Sequence, residues 1–252
     1  MTATARAPRE VEVAIGERLA ARDGSRLAAA LDADGYAVLP ALLTPAECAA
    51  LAALYNAPER FRSRVVMARH GYGQGEYQYF SYPLPPLVAT LRGALYPLLA
   101  PLANRWNEAM GIDIRYPPDH AAFLARCHRA GQTRPTPLLL CYQGGDYNRL
   151  HQDLYGEHVF PLQATFLLSR PAQNPPEGDF NGGEFVLVEQ RARMQSRAEV
   201  VPLAQGDGVV FAVRHRPVKS ARGFSRATMR HGVSRLRAGA RMTLGVIFHD
   251  AR

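Results

Sequence analysis

The sequence predicts an α+β fold that is mainly β, with helices packed on one face of an antiparallel sandwich or barrel. Leucine-rich segments with helical spacing fill roughly the first half of the chain. Beyond residue 136, short apolar or alternating runs follow one another without intervening helices, as in sandwiches and barrels rather than βαβ sheets. These runs are residues 137–142, 162–168, 183–189, 199–203, 209–213 and 242–248.

The first elements have recognisable start and stop signals. Residues 15–31 are expected to form one helix, because leucines recur among alanines and Gly35 provides a stop. Residues 36–39 read as a short strand. A helix to Tyr55 should begin at Thr44-Pro45, which places an N-cap before a proline, with Glu47 completing a capping box.

A longer helix is predicted over residues 86–110, with most of its leucines on one side. Pro97 and Pro101 are expected to kink or divide it. Residues 71–80, in which glycines alternate with aromatic residues, have two interpretations. They form either an aromatic lid over a substrate or a surface meander that packs its tyrosines on the core.

Length and composition fit one domain over residues 1–252, with a helical support over about 10–130 and a jelly-roll core over about 136–250. Hydrophobic residues make up 47% of the chain, enough for a sizeable core. Only residues 1–9 look disordered, and turn residues over 173–178 and 205–208 separate predicted strands.

The net charge of +8 would be compatible with a nucleic-acid or membrane partner. However, Lys219 is the only lysine among 30 basic residues, which is typical of a GC-rich genome, and the arginines are scattered. The one dense basic stretch runs from Arg214 to Arg230. It is either a loop at the rim of a site, able to recognise an acidic substrate, or a solvated surface loop.

Three widely spaced cysteines, Cys48, Cys127 and Cys141, cannot form a complete disulfide framework. They are interpreted as buried or inert thiols of a reducing compartment. No apolar signal segment is visible, and the most apolar run, residues 94–103, is too short to span a bilayer. A cytoplasmic protein without a membrane partner is expected.

The motif with the most chemical content is His151-Gln152-Asp153, followed much later by His231 and Arg241. Two imidazoles and one carboxylate are the ligand set of a mononuclear non-haem Fe(II) site with open positions. If the motif lies in a strand, His151 and Asp153 project to the same side, and a closed sandwich can bring His231 alongside them. His-x-Asp occurs by chance in many unrelated proteins, so the residues around it decide whether it is read as a metal-binding motif.

Those surroundings resemble the 2-oxoglutarate- and Fe(II)-dependent oxygenases, in the style of the prolyl-4-hydroxylase-like branch. The resemblance covers Tyr142 to Phe248, somewhat under half of the chain. The matching features are a tyrosine-glycine-tyrosine segment (142–147) before His-x-Asp, a Gly-Gly-Glu-Phe strand (182–185), a Gly-Asp turn (206–207) and an arginine ten residues after the distal histidine. It implies a double-stranded β-helix, or jelly roll, with an N-terminal helical layer.

The resemblance also implies residue roles. His151, Asp153 and His231 would be the iron ligands, and Arg241 would pair with the distal carboxylate of 2-oxoglutarate through its planar fork. Thr243 and Tyr142 are further candidates for that carboxylate. Other positions left open are Arg235 and Arg237, whose spacing fits less well. The prolyl hydroxylases usually carry lysine where Arg241 stands, which questions a prolyl substrate.

The implied cofactors are Fe(II), 2-oxoglutarate as co-substrate and dioxygen, with ascorbate as an optional reductant. The predicted function is hydroxylation of a peptidyl residue, an amino acid or a small metabolite, and Asp153 argues against a halogenase. Two alternatives stay open: a non-catalytic cupin-like metal-binding or sensor module, and a nucleic-acid dealkylase on the same iron site. A nucleic-acid partner is not the favoured expectation, and the oligomeric state cannot be read from the sequence.

Overall fold

A computed structural model describes residues 8–172, 177–220 and 223–252. Two antiparallel sheets face each other, and helices from the first half of the chain cover the larger sheet, as the predicted fold class requires. The helices are α1 (Pro8–Ala20), α2 (Gly24–Asp34), α3 (Pro45–Ala53), α4 (Pro86–Ala109) and α5 (His120–Arg129), with 3₁₀ turns η1 (Leu54–Asn56), η2 (Pro58–Arg60) and η3 (Met67–His70).

The larger sheet has eight strands. In spatial order they are β1 (Tyr36–Leu39), β11 (Gly208–Ala212), β7 (Leu162–Leu167), β14 (Leu236–Ile247), β5 (Leu138–Gln143), β4 (Glu76–Phe80) and β2 (Phe61–Val66), with β8 (Phe180–Gly182) paired to one end of β14.

The smaller sheet has six strands and forms the other wall of the sandwich. In spatial order they are β10 (Arg197–Val201), β9 (Phe185–Gln190), β13 (Gly223–Val233), β6 (Tyr147–His151) and β3 (Gly73–Gln74), with β12 (His215–Ser220) paired to β13.

One core joins the helical layer to the sheets, because the main cluster of buried apolar residues runs from Ile15 in α1 to Phe248 after β14. The central strand β7 is buried along its whole length. Around Phe160, aromatic rings from α4, α5 and the end of β14 pack within 6 Å of its ring centroid, which locks the helices to the sheet. The larger sheet is therefore a firm wall for any site between the two sheets.

Several predicted elements are confirmed. Thr44 caps α3 and forms the expected capping box with Glu47, and Gly35 ends α2 with a left-handed φ of 78°. The single helix predicted over 15–31 is wrong. The chain breaks between α1 and α2, because Asp23 accepts hydrogen bonds from the backbone of Ser25 and Arg26 and so starts a new helix.

Of the two effects expected of Pro97 and Pro101, a kink or a division of the helix, the division does not occur, because α4 continues past both prolines. Gly93, Pro97 and Pro101 are spaced by four residues and all lie exposed. The backbone carbonyls that lose their partners therefore face solvent, where water can satisfy them. By length and composition α4 would also pass as a membrane span, yet half of its most apolar window is buried in the protein, as in a core helix.

The remaining sequence interpretations agree with the structure only in part or lie partly outside it. The segment 71–80 is mostly strand, since it contains β3 and β4. Glu199–Leu203 was expected as a strand where β10 runs from Arg197 to Val201. The predicted disorder over 1–9 and the turn over 173–178 lie partly outside the described residues. Cys48 and Cys127 are buried and Cys141 is half-buried, and all three are free thiols.

Candidate active site

His151 and His231 lie directly opposite each other on neighbouring strands. His151 ends β6, His231 lies near the end of β13, and the two are register partners in the smaller sheet. Asp153 follows the end of β6, so its position comes from the loop and not from the expected strand alternation. The intervening Gln152 holds that loop against β13 by donating to the backbone oxygen of Met229 at 2.7 Å.

The three predicted ligands converge on one point. Nε2 of His231 lies 3.4 Å from one oxygen of Asp153, and Nε2 of His151 lies 3.7 Å from the other. The two imidazole centroids are 4.1 Å apart, and one potential ligand atom from each residue lies within 4.8 Å of the others. Two imidazoles and a carboxylate on one side of a prospective ion leave its other positions free, which fits non-haem Fe(II).

Electrostatics also favour a cation between these residues. Burial alone would raise the pKa of Asp153, but hydrogen bonding and Coulomb attraction from His231, with a contribution from His151, hold it well below its usual range. Burial, reinforced by the nearby His151, lowers the pKa of His231. At neutral pH the set is thus a carboxylate with an uncharged His231, the protonation that metal coordination needs.

The ring of His151 is oriented by its own strand. Nδ1 of His151 lies 2.8 Å from the backbone oxygen of Arg149, which favours a proton on Nδ1 and leaves Nε2 free to coordinate. His231 is fixed by packing instead. Its ring centroid lies 4.7 Å from that of Phe211 and 6.2 Å from that of Phe185.

Sequence reasoning missed two tyrosines that support the carboxylate. The hydroxyl of Tyr155 donates to Oδ1 of Asp153 at 2.7 Å, and the hydroxyl of Tyr79 donates to that of Tyr155 at 2.9 Å. Burial and the adjacent Asp153 raise the pKa of Tyr155, so it keeps its proton. The signal that could have found Tyr155 is its position two residues after Asp153, on the same loop.

A cavity of about 380 Å³ between the sheets contains the three converging residues and all three predicted co-substrate residues. Arg241 and Thr243, two residues apart on β14, both line it, as the strand alternation predicts. Tyr142, the register partner of Arg241 on β5, lines it as well. The structure therefore brings all six predicted site residues to one place.

Arg241 has the properties of an anion-binding residue. It is 2% exposed, and its Nε and Nη1 have no hydrogen-bond acceptor in the part of the chain that the structure describes. Burial lowers its pKa to about 10, so it remains charged at neutral pH. The nearest aromatic faces, Tyr142 and Phe180, lie 5.6 and 5.8 Å from its guanidinium carbon. A carboxylate is the partner that this buried fork fits.

The remaining candidates for the carboxylate are less well placed. Arg235 lies over the ring of Tyr147 at 5.9 Å, and the side chain of Arg237 is 72% exposed beside Glu184. Neither lines the cavity, whereas Gln163, which sequence reasoning missed, does. Its buried Oε1 has no partner among the described residues, so it faces the cavity ready to accept a hydrogen bond.

The basic stretch Arg214 to Arg230 forms the β12–β13 hairpin, apart from residues 221–222, which lie outside the described chain. Arg216 is buried and paired with Glu189, so it is not available to a ligand. Gly223, the first residue of β13, lies eight residues before His231. At about 3.3 Å per residue, the start of β13 is on the order of 25 Å from His231 along the strand. The alternative of a solvated surface segment therefore fits this end of the stretch better than a loop at the rim.

Residues 75–251 match a family described as an oxygenase catalysing oxidative methylation of damaged DNA. The chain belongs to this oxygenase family. The match includes all six predicted site residues. Together with the fold and the His151–Asp153–His231 arrangement, it makes the protein a member of the 2-oxoglutarate/Fe(II) oxygenase superfamily. The narrower resemblance to the prolyl-4-hydroxylase-like branch is not established.

The oxygenase is similar to two Mycobacterium tuberculosis proteins, the uncharacterised protein Rv2227 of strain H37Rv and MT2286 of strain CDC 1551. Each is 50% identical over 172 residues, which cover 68% of this chain and 72% of the relative.

Solved structures share the fold of the oxygenase at low identity. A 2OG-Fe(II) oxygenase family oxidoreductase from Burkholderia pseudomallei aligns with a TM-score of 0.51 and 18% identity, over 92% of this chain and 93% of that one. The non-haem α-ketoglutarate-dependent epimerase SnoN of nogalamycin biosynthesis aligns with a TM-score of 0.50 and 17% identity, over 88% and 80%. These likenesses confirm the predicted jelly-roll architecture.

Proposed function

We propose that this oxygenase uses Fe(II) and 2-oxoglutarate to remove an alkyl group from a damaged base in DNA. The observation that carries the proposal is the convergence of His151, Asp153 and His231 in one cavity with the unpaired, buried Arg241, in a chain whose family is described as acting on damaged DNA. The dealkylase alternative thus replaces the favoured expectation of a peptide or small-molecule substrate.

The three converging residues would hold the ferrous ion. When bound, Fe(II) and 2-oxoglutarate supply, with dioxygen, the oxidant that inserts one oxygen atom into a substrate C–H bond while the co-substrate leaves as succinate and carbon dioxide. Tyr155 holds one oxygen of Asp153, which keeps the other directed at His231. Phe185 and Phe211 exclude water on the closed side of His231.

Arg241 would pair with the distal carboxylate of 2-oxoglutarate, with Thr243 and Tyr142 as its neighbours in the cavity. The Tyr142 hydroxyl accepts a hydrogen bond from Asn148 at 3.4 Å and is therefore oriented to donate its own proton elsewhere. Burial raises its pKa, so the proton is retained. A fully buried arginine without a direct ion-pair partner among the described residues is unfavourable for folding, and an ionised co-substrate removes that penalty.

The direction of the reaction follows from the chemistry of the site. The family description speaks of oxidative methylation, but an oxygenase of this class inserts oxygen into a C–H bond. When that bond belongs to a methyl group on a base nitrogen, the product is an N-hydroxymethyl group, which breaks its C–N bond and leaves as formaldehyde. Removal of the methyl group is thus the reaction that these residues support.

The size of the cavity also limits the form of DNA that can react. The cavity lies near the lower limit of ligand pockets, so beside the co-substrate it can accept one ring-sized group and no duplex. The damaged base therefore has to be single-stranded or turned out of the helix. The single domain over 1–252, the cytoplasmic location and the use of ascorbate remain predictions, and the continuous core from α1 to β14 supports the first of them.

The test is a comparison of substrates under identical conditions. The Fe(II)-loaded protein receives 2-oxoglutarate, oxygen and a single-stranded oligonucleotide with one ring-N-methylated adenine, its unmethylated counterpart or a proline-rich peptide. We expect formaldehyde with the methylated strand alone, in an amount equal to the succinate formed above the level without substrate. Stimulation by the peptide, without formaldehyde from the methylated strand, would overturn the assignment in favour of a peptidyl hydroxylase.

A further inference from the structure

The exposure of the cavity-lining residues shows where the cavity opens. Arg241 and Thr243 lie at its buried end, 2% and 3% exposed. In contrast, Tyr72 is 50% and Leu150 46% exposed, and Arg149 between them is exposed too. The mouth therefore lies between the segment before β3 and the end of β6, on the side of the more exposed metal-ligand candidate, His151.

Backbone geometry holds the two sides of this mouth together. The backbone N–H of Arg149 donates to the oxygen of Tyr72 at 2.8 Å. Gly73 has a φ of 136°, and a Cβ there would lie 2.3 Å from the backbone oxygen of Tyr147. Only glycine allows β3 to approach β6 so closely, which places Tyr72 beside Arg149.

The mouth presents an aromatic face between cationic side chains. The ring of Tyr72 stacks on that of His70, with centroids 5.3 Å apart and planes 23° apart. Arg69, next to His70, and Arg149 are both exposed, and within the described part of the chain neither has an ion-pair partner. We call Arg69, His70, Tyr72, Arg149 and Leu150 the rim patch.

We propose that the rim patch binds single-stranded DNA next to the base that enters the cavity, with Tyr72 stacking on a neighbouring base and Arg149 contacting a phosphate. This inference rests on the proposed function and names the residues that would select a single strand. A stacked aromatic face beside unpaired cations is the combination by which proteins hold single strands without reading their sequence. An exposed ring already braced by His70 loses little conformational freedom when a base stacks on it.

The basic hairpin β12–β13 is the competing surface, and it is the less suitable one. The start of β13 is far from His231 along the strand, and Arg216 is engaged with Glu189. It also carries an exposed aromatic residue, Phe224, and an exposed cation, Lys219. These two residues therefore provide controls that match Tyr72 and Arg149 in chemical type and in exposure.

The experiment measures fluorescence anisotropy of a labelled, undamaged thymidine 12-mer with the Fe(II)- and 2-oxoglutarate-loaded protein under anaerobic conditions, over a series of salt concentrations. We expect Tyr72→Ala to raise Kd by about five- to hundred-fold and Tyr72→Phe to bind nearly as the wild type does. Arg149→Gln should weaken binding and lower the slope of log Kd against log salt by about 0.7. Phe224→Ala and Lys219→Gln should have little effect, and a matching duplex should bind more weakly.

The outcomes separate the two proposals. Wild-type affinity in both Tyr72→Ala and Arg149→Gln, or an equal loss in the hairpin variants, would overturn the rim patch while leaving the DNA substrate in place. Absence of binding by the wild type would overturn both. Because Arg149→Gln keeps the strand intact, a Tyr72→Ala protein that fails to fold does not remove the test. Substrate-free turnover of 2-oxoglutarate should stay unchanged in the two hairpin variants, Phe224→Ala and Lys219→Gln.

Discussion

Two buried arginines of similar exposure, Arg92 and Arg241, differ in how completely their polar atoms are paired. Arg92 on α4 donates to the backbone oxygen of Ile247 at 2.8 Å, to the Tyr82 hydroxyl at 3.0 Å and to Asp250 at 2.7 Å. Asp250 in turn receives hydrogen bonds from Tyr82 and His128. Every part of this cluster serves to fix the helical layer to the end of β14.

Arg241 on β14 has the opposite character. Two of its nitrogens lack partners, and so does Oε1 of Gln163, which lines the same cavity, all within the described residues. Buried polar groups are normally paired, so several unpaired groups around one cavity indicate ligands that bind there. Burial of a charged side chain therefore does not by itself identify a binding site. The polar atoms of Arg92 are paired within the protein, whereas those of Arg241 are not.

The largest expected effect is on the metal-ligand candidates. Asp153→Ala and His231→Ala should each abolish conversion of 2-oxoglutarate to succinate, because each removes one of the three ligands that the described residues offer to a metal ion. His158→Ala is the matched control and should keep wild-type turnover. Measurable turnover in His231→Ala would show that these three residues do not form the catalytic metal site.

In the paired cluster we expect an effect on stability instead. Asp250→Ala should lower the free energy of unfolding by about 3–5 kcal/mol, because it leaves the buried Arg92 without its counter-charge. Denaturant titration of the metal-free protein measures this change. The affinity for 2-oxoglutarate should stay near wild type while the variant is folded, and a change below about 1 kcal/mol would show that Arg92 is satisfied in another way.

Arg241→Met should weaken 2-oxoglutarate binding without lowering stability. The Kd for 2-oxoglutarate is expected to rise tenfold or more, since charge-assisted hydrogen bonds contribute about 1.5–3 kcal/mol each. The free energy of unfolding should stay equal or increase, because an unpaired buried charge is replaced by an unbranched apolar side chain. Calorimetric titration and denaturant titration test the two halves, and unchanged co-substrate affinity would transfer the role to another residue.

The smallest expected effect is at Tyr155. Tyr155→Phe removes the hydrogen bond to Oδ1 of Asp153 and should weaken metal affinity by about tenfold, as for other groups that orient a ligand. Competition between Co(II) and a chelator measures this affinity directly. Tyr79→Phe, one hydrogen bond further away, should change it less, and equal effects would point to a general loss of packing.

How much could be predicted from the sequence depends on the range of the interactions. The capping box at Thr44 and the stop at Gly35 are local, and both were predictable. The six site residues were predictable because the family pattern specifies them. The break at Asp23 was missed because apolar spacing continues through it. Tyr155 was missed although it lies only two residues after Asp153, whose Oδ1 its hydroxyl contacts. The hydrogen bond from Tyr79 and the partnerless Gln163 depend on strands far apart in sequence, so no local signal shows them.

The two interpretations of the basic stretch, a loop at the rim of the site or a solvated surface loop, stayed open for a related reason. Arg230 is next to His231 in sequence, but a strand is extended, so Gly223 at the start of β13 lies on the order of 25 Å from His231. In contrast, the segment 71–80 is distant in sequence and yet reaches the cavity, because β3 pairs with β6 and β4 pairs with β5.

The most direct test of the central claim is the visible charge-transfer absorption of the protein on anaerobic addition of Fe(II) and then 2-oxoglutarate. This absorption requires the co-substrate to chelate an iron held by the protein. We predict that the band appears with the wild type, needs a higher 2-oxoglutarate concentration with Arg241→Met and is absent with His231→Ala. No band with the wild type, or an equal band with His231→Ala, would contradict the account.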